Sequence, residues 1–296
     1  MRRASRGLLR AVSAAALAWA CAACTAPHLQ WRDGPRVEDP RPSGPPDLRR
    51  YKESYYRGLG KRFVGQLTHD DALRQMAQAR VLFIGDHHDD VLHHDRVLHL
   101  LAALRARGTF ATVGLEAIGA QDRAELDGFL AGQISMVQLR HRVAARWPGS
   151  WLDNPQLDRQ FYRALLRQAR DWDCPAFPLE PAPRLPLPER DAVIAESIRT
   201  AAQRHPESLI VVIVGQAHLL GQGSLIERVD LPWAAVAARP SVSLRDQIDS
   251  IPPSRDQPWF VTPSGLLLHD PRLNEPMSRS ARGPVVTPSR DPTAAS

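Results

Sequence analysis

Apolar positions along the chain fall into two rhythms. Short continuous apolar runs read as buried strands: Val81-Leu-Phe-Ile84, Phe110-Ala-Thr-Val-Gly-Leu115, the weaker Ala176-Phe-Pro-Leu179, and Leu209-Ile-Val-Val-Ile-Val214. Between them, apolar residues recur at helical spacing over Asp70–Ala79, Val91–Arg107, Ala120–Leu130, Ser135–Arg146 and Arg190–Arg204. A further helix takes Pro155 in its first turn and runs to about Asp173. Gly108 ends the second of these helices, as a residue that takes a left-handed conformation at low cost. The strand at 209–214 is apolar on both faces, as expected at the centre of a parallel sheet. Alternation of strands and helices predicts an α/β fold, a mostly parallel sheet flanked by helices, with a helical insertion around 119–173.

The pattern changes at both ends. Arg2, Arg3, Arg6 and Arg10 precede a run from Val12 to Ala20 that is apolar but for Ser13, with small residues after it. This is the layout of an export signal over 1–23, too short for a membrane span of about 20 apolar residues. Cys21-Ala-Ala-Cys24 resembles a bacterial lipobox with Cys21 where Leu is usual, which implies lipidation of Cys24. Residues 24–50 hold Pro27, Pro35, Pro40, Pro42, Pro45 and Pro46 among Arg and Asp, and suit a semi-rigid tether. Residues 51–273 form the folded α/β domain, and 274–296, rich in Pro, Ser and Arg, read as a disordered tail.

Charge and cysteine usage exclude more than they suggest. The formal net charge is +6, and the four arginines of the first ten residues account for most of it. No basic stripe interleaved with aromatics remains, so nucleic acid is not an expected partner. Past Cys24 the one thiol is Cys174, which leaves no internal disulfide and reads as a small buried residue.

The chemistry gathers where strands stop. Gly85-Asp-His-His88 and Gly215-Gln-Ala-His218 each follow a buried strand with glycine, two residues and histidine, and Glu116 closes a third strand. Carboxyl ends of parallel strands are where open α/β sheets place ligands. If those strands are neighbours, His88, His218 and Glu116 share one crevice, with Asp86 beside His88. Two imidazoles and a carboxylate suit either a divalent metal with an open position or a base with an orienting partner. His94 is placed to cap or orient, His99 to sit on a solvated or core-facing helix position, and Asp89 or Asp90 to cap the helix.

The paired Gly-x-x-His motifs with the intervening Glu resemble the superfamily of erythromycin-esterase-like proteins, TIKI-type proteases and ChaN-like haem-binding lipoproteins. Phe83-Ile-Gly-Asp-His-His-Asp-Asp with His93-His94, Val113-Gly-Leu-Glu116, the Trp147–Trp151 and Tyr162–Ala169 region, and Val214-Gly-Gln-Ala-His218 look most like the ChaN branch. That resemblance implies an exported lipoprotein of the bacterial outer membrane that binds haem in iron uptake. Haem would be ligated by a tyrosine on an apolar surface, shared between two copies in a homodimer, with an outer-membrane receptor as a further partner. Tyr162 is the tyrosine inside the matched region. Where the family usually has Glu after the first Gly, this chain has Asp86, shorter in reach by a methylene. The alternative within the superfamily is a metal-dependent hydrolase of protease or esterase type, using His88, Glu116 and His218 as metal ligands. A third reading is an envelope module that binds some other small molecule. A binding protein is favoured over an enzyme.

Overall fold

The computed structural model describes residues 46–146, 150–183 and 185–273. The export signal, Cys24 and the tail therefore lie outside the described residues, as do Trp147, Pro148 and Gly149. Of the tether expected over 24–50, residues 46–50 are helical and the rest lies outside the described residues. Helix α1 already begins at Pro46 and runs to Leu59, with proline in the first turn, where its missing N–H is no loss.

The remaining elements follow in order: β1 (Gly65–Leu67), α2 (His69–Gln78), β2 (Val81–Asp86), α3 (Val91–Ala106), β3 (Ala111–Gly119), α4 (Arg123–Leu130), α5 (Met136–Arg146), α6 (Arg159–Asp171), β4 (Ala176–Glu180), α7 (Leu187–Arg204), β5 (Leu209–Gly215), α8 (Leu225–Val229), β6 (Trp233–Val236), α9 (Val242–Asp249), β7 (Trp259–Val261) and β8 (Leu267–His269). The eight strands form one sheet in the order β1-β7-β8-β6-β2-β5-β3-β4. Pairs from β8 through β6, β2, β5 and β3 to β4 are parallel, and β7 runs antiparallel to both neighbours. The mostly parallel α/β architecture read from the sequence is the one observed, and α4, α5 and α6 form the helical insertion between β3 and β4.

Strand alternation divides the core in two. Leu82 and Ile84 of β2, with Val211 and Ile213 of β5, face the cluster that buries α2, α3 and the insertion. Val81 and Phe83, with Ile210, Val212 and Val214, face the cluster that buries α1, α7, α8 and α9. A period of two on a sheet covered on both faces gives the continuous apolar runs of β2 and β5. Pro178 stands in β4, an edge strand, where proline's missing N–H disturbs the ladder least. Cys174 is buried, as expected of a small core residue.

Helix boundaries reflect their caps. Asp90 starts α3 by accepting from the His93 amide at 3.1 Å, and Gly108 beyond its end has φ +82°. The helix expected from Pro155 instead begins at Arg159. Asp158 is its cap, accepting from the Phe161 amide at 3.3 Å, and Pro155 lies in the preceding turn.

Candidate functional site

Strand order places the site. β5 lies between β2 and β3, with Asp86 registered against Gly215. The two Gly-x-x-His segments and Glu116 therefore end side by side at the carboxyl edge of three adjacent strands. Gly85 packs so closely that a Cβ there would lie 2.9 Å from both Gln216 Cβ and Leu219 Cδ1. A Cβ on Gly215 would lie 3.5 Å from each of His88 Cε1, His218 Cδ2 and Glu116 Oε2. The missing side chain of Gly215 thus marks the point on which the three predicted residues converge.

Asp86 is the hub of one half. Its carboxylate is 3% exposed and accepts from three donors: His88 Nδ1 at 3.1 Å, His94 Nε2 at 2.8 Å and Tyr162 Oη at 2.6 Å. Burial alone would raise its pKa, but these donors outweigh it and hold Asp86 far below the usual carboxylate range. His94 reaches Asp158 through its other nitrogen at 2.9 Å and stacks on Phe161 at 4.0 Å. Burial opposes its charge, yet the two carboxylates push its pKa up to about 9. His94 is therefore a buried imidazolium between two anions. His94 orients, as its place in the first turns of α3 suggests, and Asp90 caps.

His88 turns its second nitrogen outward. Its side chain is 35% exposed, lies 4.3 Å from the Trp151 ring, and its carbonyl accepts from the Asp158 amide at 2.9 Å. Burial works against protonation, but the Asp86 bond and the charges of Asp86 and Glu116 raise its pKa. In the other half, His218 donates Nδ1–H to Asp191 at 2.7 Å. The edge of Tyr51 packs against the His218 ring at 5.3 Å. The site thus holds two His–Asp dyads, His88 with Asp86 and His218 with Asp191, whose rings both approach Gly215.

Glu116 joins the halves without being open itself. One oxygen accepts the Gly215 amide at 2.7 Å and the other the guanidinium of Arg190, which also reaches Glu180 at 2.8 Å. Burial raises the Glu116 pKa, and Arg190, His218 and His88 together bring it below its ordinary value. Each Glu116 oxygen therefore already has one donor, and a metal set of His88, Glu116 and His218 would have to use its remaining lone pairs. Among the described residues, no group of three or more His, Cys, Asp or Glu side chains is placed to hold a metal ion.

Tyr162 differs from the expectation of a surface haem ligand. It is 2% exposed, its hydroxyl is committed to Asp86, and burial with the nearby carboxylates drives its pKa well above the ordinary value. Iron ligation by tyrosine needs the phenolate, which this surrounding disfavours most. Sequence pattern alone does not point to Asp158, Asp191 or Arg190 as members of the site. Asp158 carries a partial signal, since an acid before an amphipathic run is a cap; Asp191 and Arg190 sit inside the polar first turns of α7 and carry none.

Residues 72–184 match the family model described as haem-binding uptake, Tiki superfamily, ChaN. That range contains Asp86, His88, Glu116, Asp158 and Tyr162, and stops short of Arg190, Asp191 and His218. Among curated proteins none matches the chain in sequence. Among solved structures, the type III effector HopBA1 is similar at a TM-score of 0.45 and 12% identity, covering 68% of this chain and 91% of its own. ChaN of Campylobacter jejuni, with its cofacial haem binding, is similar at 0.45 and 13%, covering 69% and 93%. RRSP, a MARTX toxin effector domain from Vibrio vulnificus, is similar at 0.41 and 20%, covering 77% and 47%. At such scores these likenesses say nothing of what the chain binds.

Proposed function

We propose that this chain, whose residues 72–184 match the haem-binding uptake family model of the Tiki superfamily, is a haem-binding protein of the bacterial cell envelope that serves haem or iron uptake. The family match carries this reading. Haem would supply a ferric centre able to bind a protein donor. Since Tyr162 is committed to Asp86, His88 is the donor that fits: one nitrogen is held by Asp86, as ligating histidines are held, and the other is open. Trp151 beside it, with the exposed Val91 and Leu92 in the first turn of α3, offers apolar surface for a porphyrin face. The exported, Cys24-lipidated N-terminus read from the sequence suits an outer-membrane site, where a homodimer and a receptor are the expected partners. Incorporation of a labelled fatty acid, lost in Cys24→Ser, tests the anchor.

Titrating the folded chain with haemin should give a saturable Soret band at defined stoichiometry. His88→Ala should abolish that band, and Tyr162→Phe should keep it. Affinity should rise with pH through the raised pKa of His88, because a protonated imidazole cannot ligate. A featureless, non-saturating titration refutes haem binding, and an undiminished band in His88→Ala refutes the assigned ligand.

The two dyads support a second reading, acid–base hydrolysis at the point above Gly215. There one imidazole would take a proton from water while the other supplies one to a leaving group. Hydrolysis of an activated ester that His218→Ala leaves unchanged would dispose of it.

A further inference from the structure

Helix α1 has two unlike faces. Leu48, Tyr51, Tyr55 and Leu59 recur at helical spacing and turn toward the fold. Tyr55 and Leu59 are buried, and the edge of Tyr51 meets the His218 ring. The opposite face carries Arg49, Arg50, Glu53 and Arg57, all exposed, and the exposed Lys61 and Arg62 continue it past the helix end. Five cations thus stand there against one acid. Among the described residues none of the five has an ion pair or a side-chain hydrogen bond. Exposed arginines elsewhere do: Arg74 pairs with Asp71, Arg107 with Asp70 and Arg123 with Asp127.

Apolar side chains border these cations. The Ser241 hydroxyl donates to the Gly60 carbonyl at 3.2 Å, and the Phe63 amide donates to Gln247 Oε1 at 2.9 Å. Residues 60–64 therefore run along α9. Val64 on that segment is 61% exposed, and Val242 in the first turn of α9 is 39% exposed. Unneutralised cations edged by exposed aliphatic side chains match the two layers of a bilayer interface, anionic headgroups and the acyl boundary beneath them. Tyr51 and Tyr55 face inward, which takes away the stacking platforms that a single-stranded nucleic acid needs. In sequence, α1 follows the proline-rich stretch after Cys24, and a basic surface is the usual second signal beside a lipid anchor.

We propose that the face formed by Arg49, Arg50, Arg57, Lys61 and Arg62, with Val64 and Val242 at its border, docks on an anionic lipid surface. The docking needs neither haem nor the two dyads. It holds His218, which touches the other side of α1, about one helix diameter, about 10 Å, from the headgroups.

Vesicle flotation of residues 24–296 carrying Cys24→Ser, so that no acyl group contributes, tests the proposal. The protein should float with vesicles of equimolar phosphatidylglycerol and phosphatidylcholine, and stay behind with phosphatidylcholine alone. Added salt should release it, because exposed charges are screened. Replacing Arg49, Arg50 and Arg57 together by Gln should weaken partition by about a hundred-fold, about five-fold for each cation. Val64→Ser, which leaves the charge unaltered, should weaken it several-fold. Equal flotation with both kinds of vesicle, undiminished partition in the folded triple variant, or undiminished partition in Val64→Ser would each overturn the proposal. Release from the vesicles by a single-stranded oligonucleotide would overturn it too, and make nucleic acid the partner.

Discussion

Asp86 gathers three donors from three places in the sequence, and its chemistry is set by that crowding. The short Asp86 side chain reaches His88, His94 and Tyr162. Such a network has a definite pH signature. His94 has its pKa raised from 6.5 to about 9, so its contribution to stability is complete below about 6.5 and is lost as pH rises through about 9. Asp86 acts in the opposite sense: its depressed pKa contributes stability above the ordinary carboxylate range that is lost on acidification. Urea denaturation from about pH 6 to about pH 10 should therefore show a loss of up to about 3 kcal/mol in the wild type. In His94→Gln that limb should be much smaller, what remains being the loss from the raised pKa of His88. Parallel pH profiles for the two proteins would show that His94 is not the imidazolium described.

At the scale of elements, the site is built by the segments that succeed the strands. β2 hands on to α3, β3 to the insertion and β4 to α7, so His94, Tyr162 and Arg190 come from three helices that cover the same sheet edge. Arg190, with Glu116 and Glu180 almost fully buried beside it, is the tie between α7 and the strands. Breaking a buried ion pair by removing one partner costs about 3–5 kcal/mol, because the remaining charge is left without compensation. Arg190→Met should lose stability on that scale by thermal or urea unfolding, and Arg190→Met with Glu116→Gln should regain part of it. A loss below about 1 kcal/mol would mean that α7 is held by its apolar face alone.

Across the whole molecule, the sequence discloses local pattern and withholds distant pairing. β2, β3 and β5 announce themselves by apolar runs, and the glycines and histidines at their ends bring His88, His218 and Glu116 together only because β5 lies between β2 and β3. The start of α1 is hidden by proline, whose abundance over 24–50 suggests a tether although Pro46 opens a helix. β7 and β8 are three residues each, too short for a period to show, and the sheet extends through them by pairing rather than by propensity. Asp191 meets His218 across 27 residues and Tyr162 meets Asp86 across 76; no spacing rule reaches that far. The last of these contacts ties two events together. If α6 draws away from the sheet, Tyr162 leaves Asp86 in the same movement that takes Asp158 from His94. Docking of the insertion and charging of the strand-end site are thus two readings of a single equilibrium: whatever ligand or pH favours the one must favour the other by the same free energy.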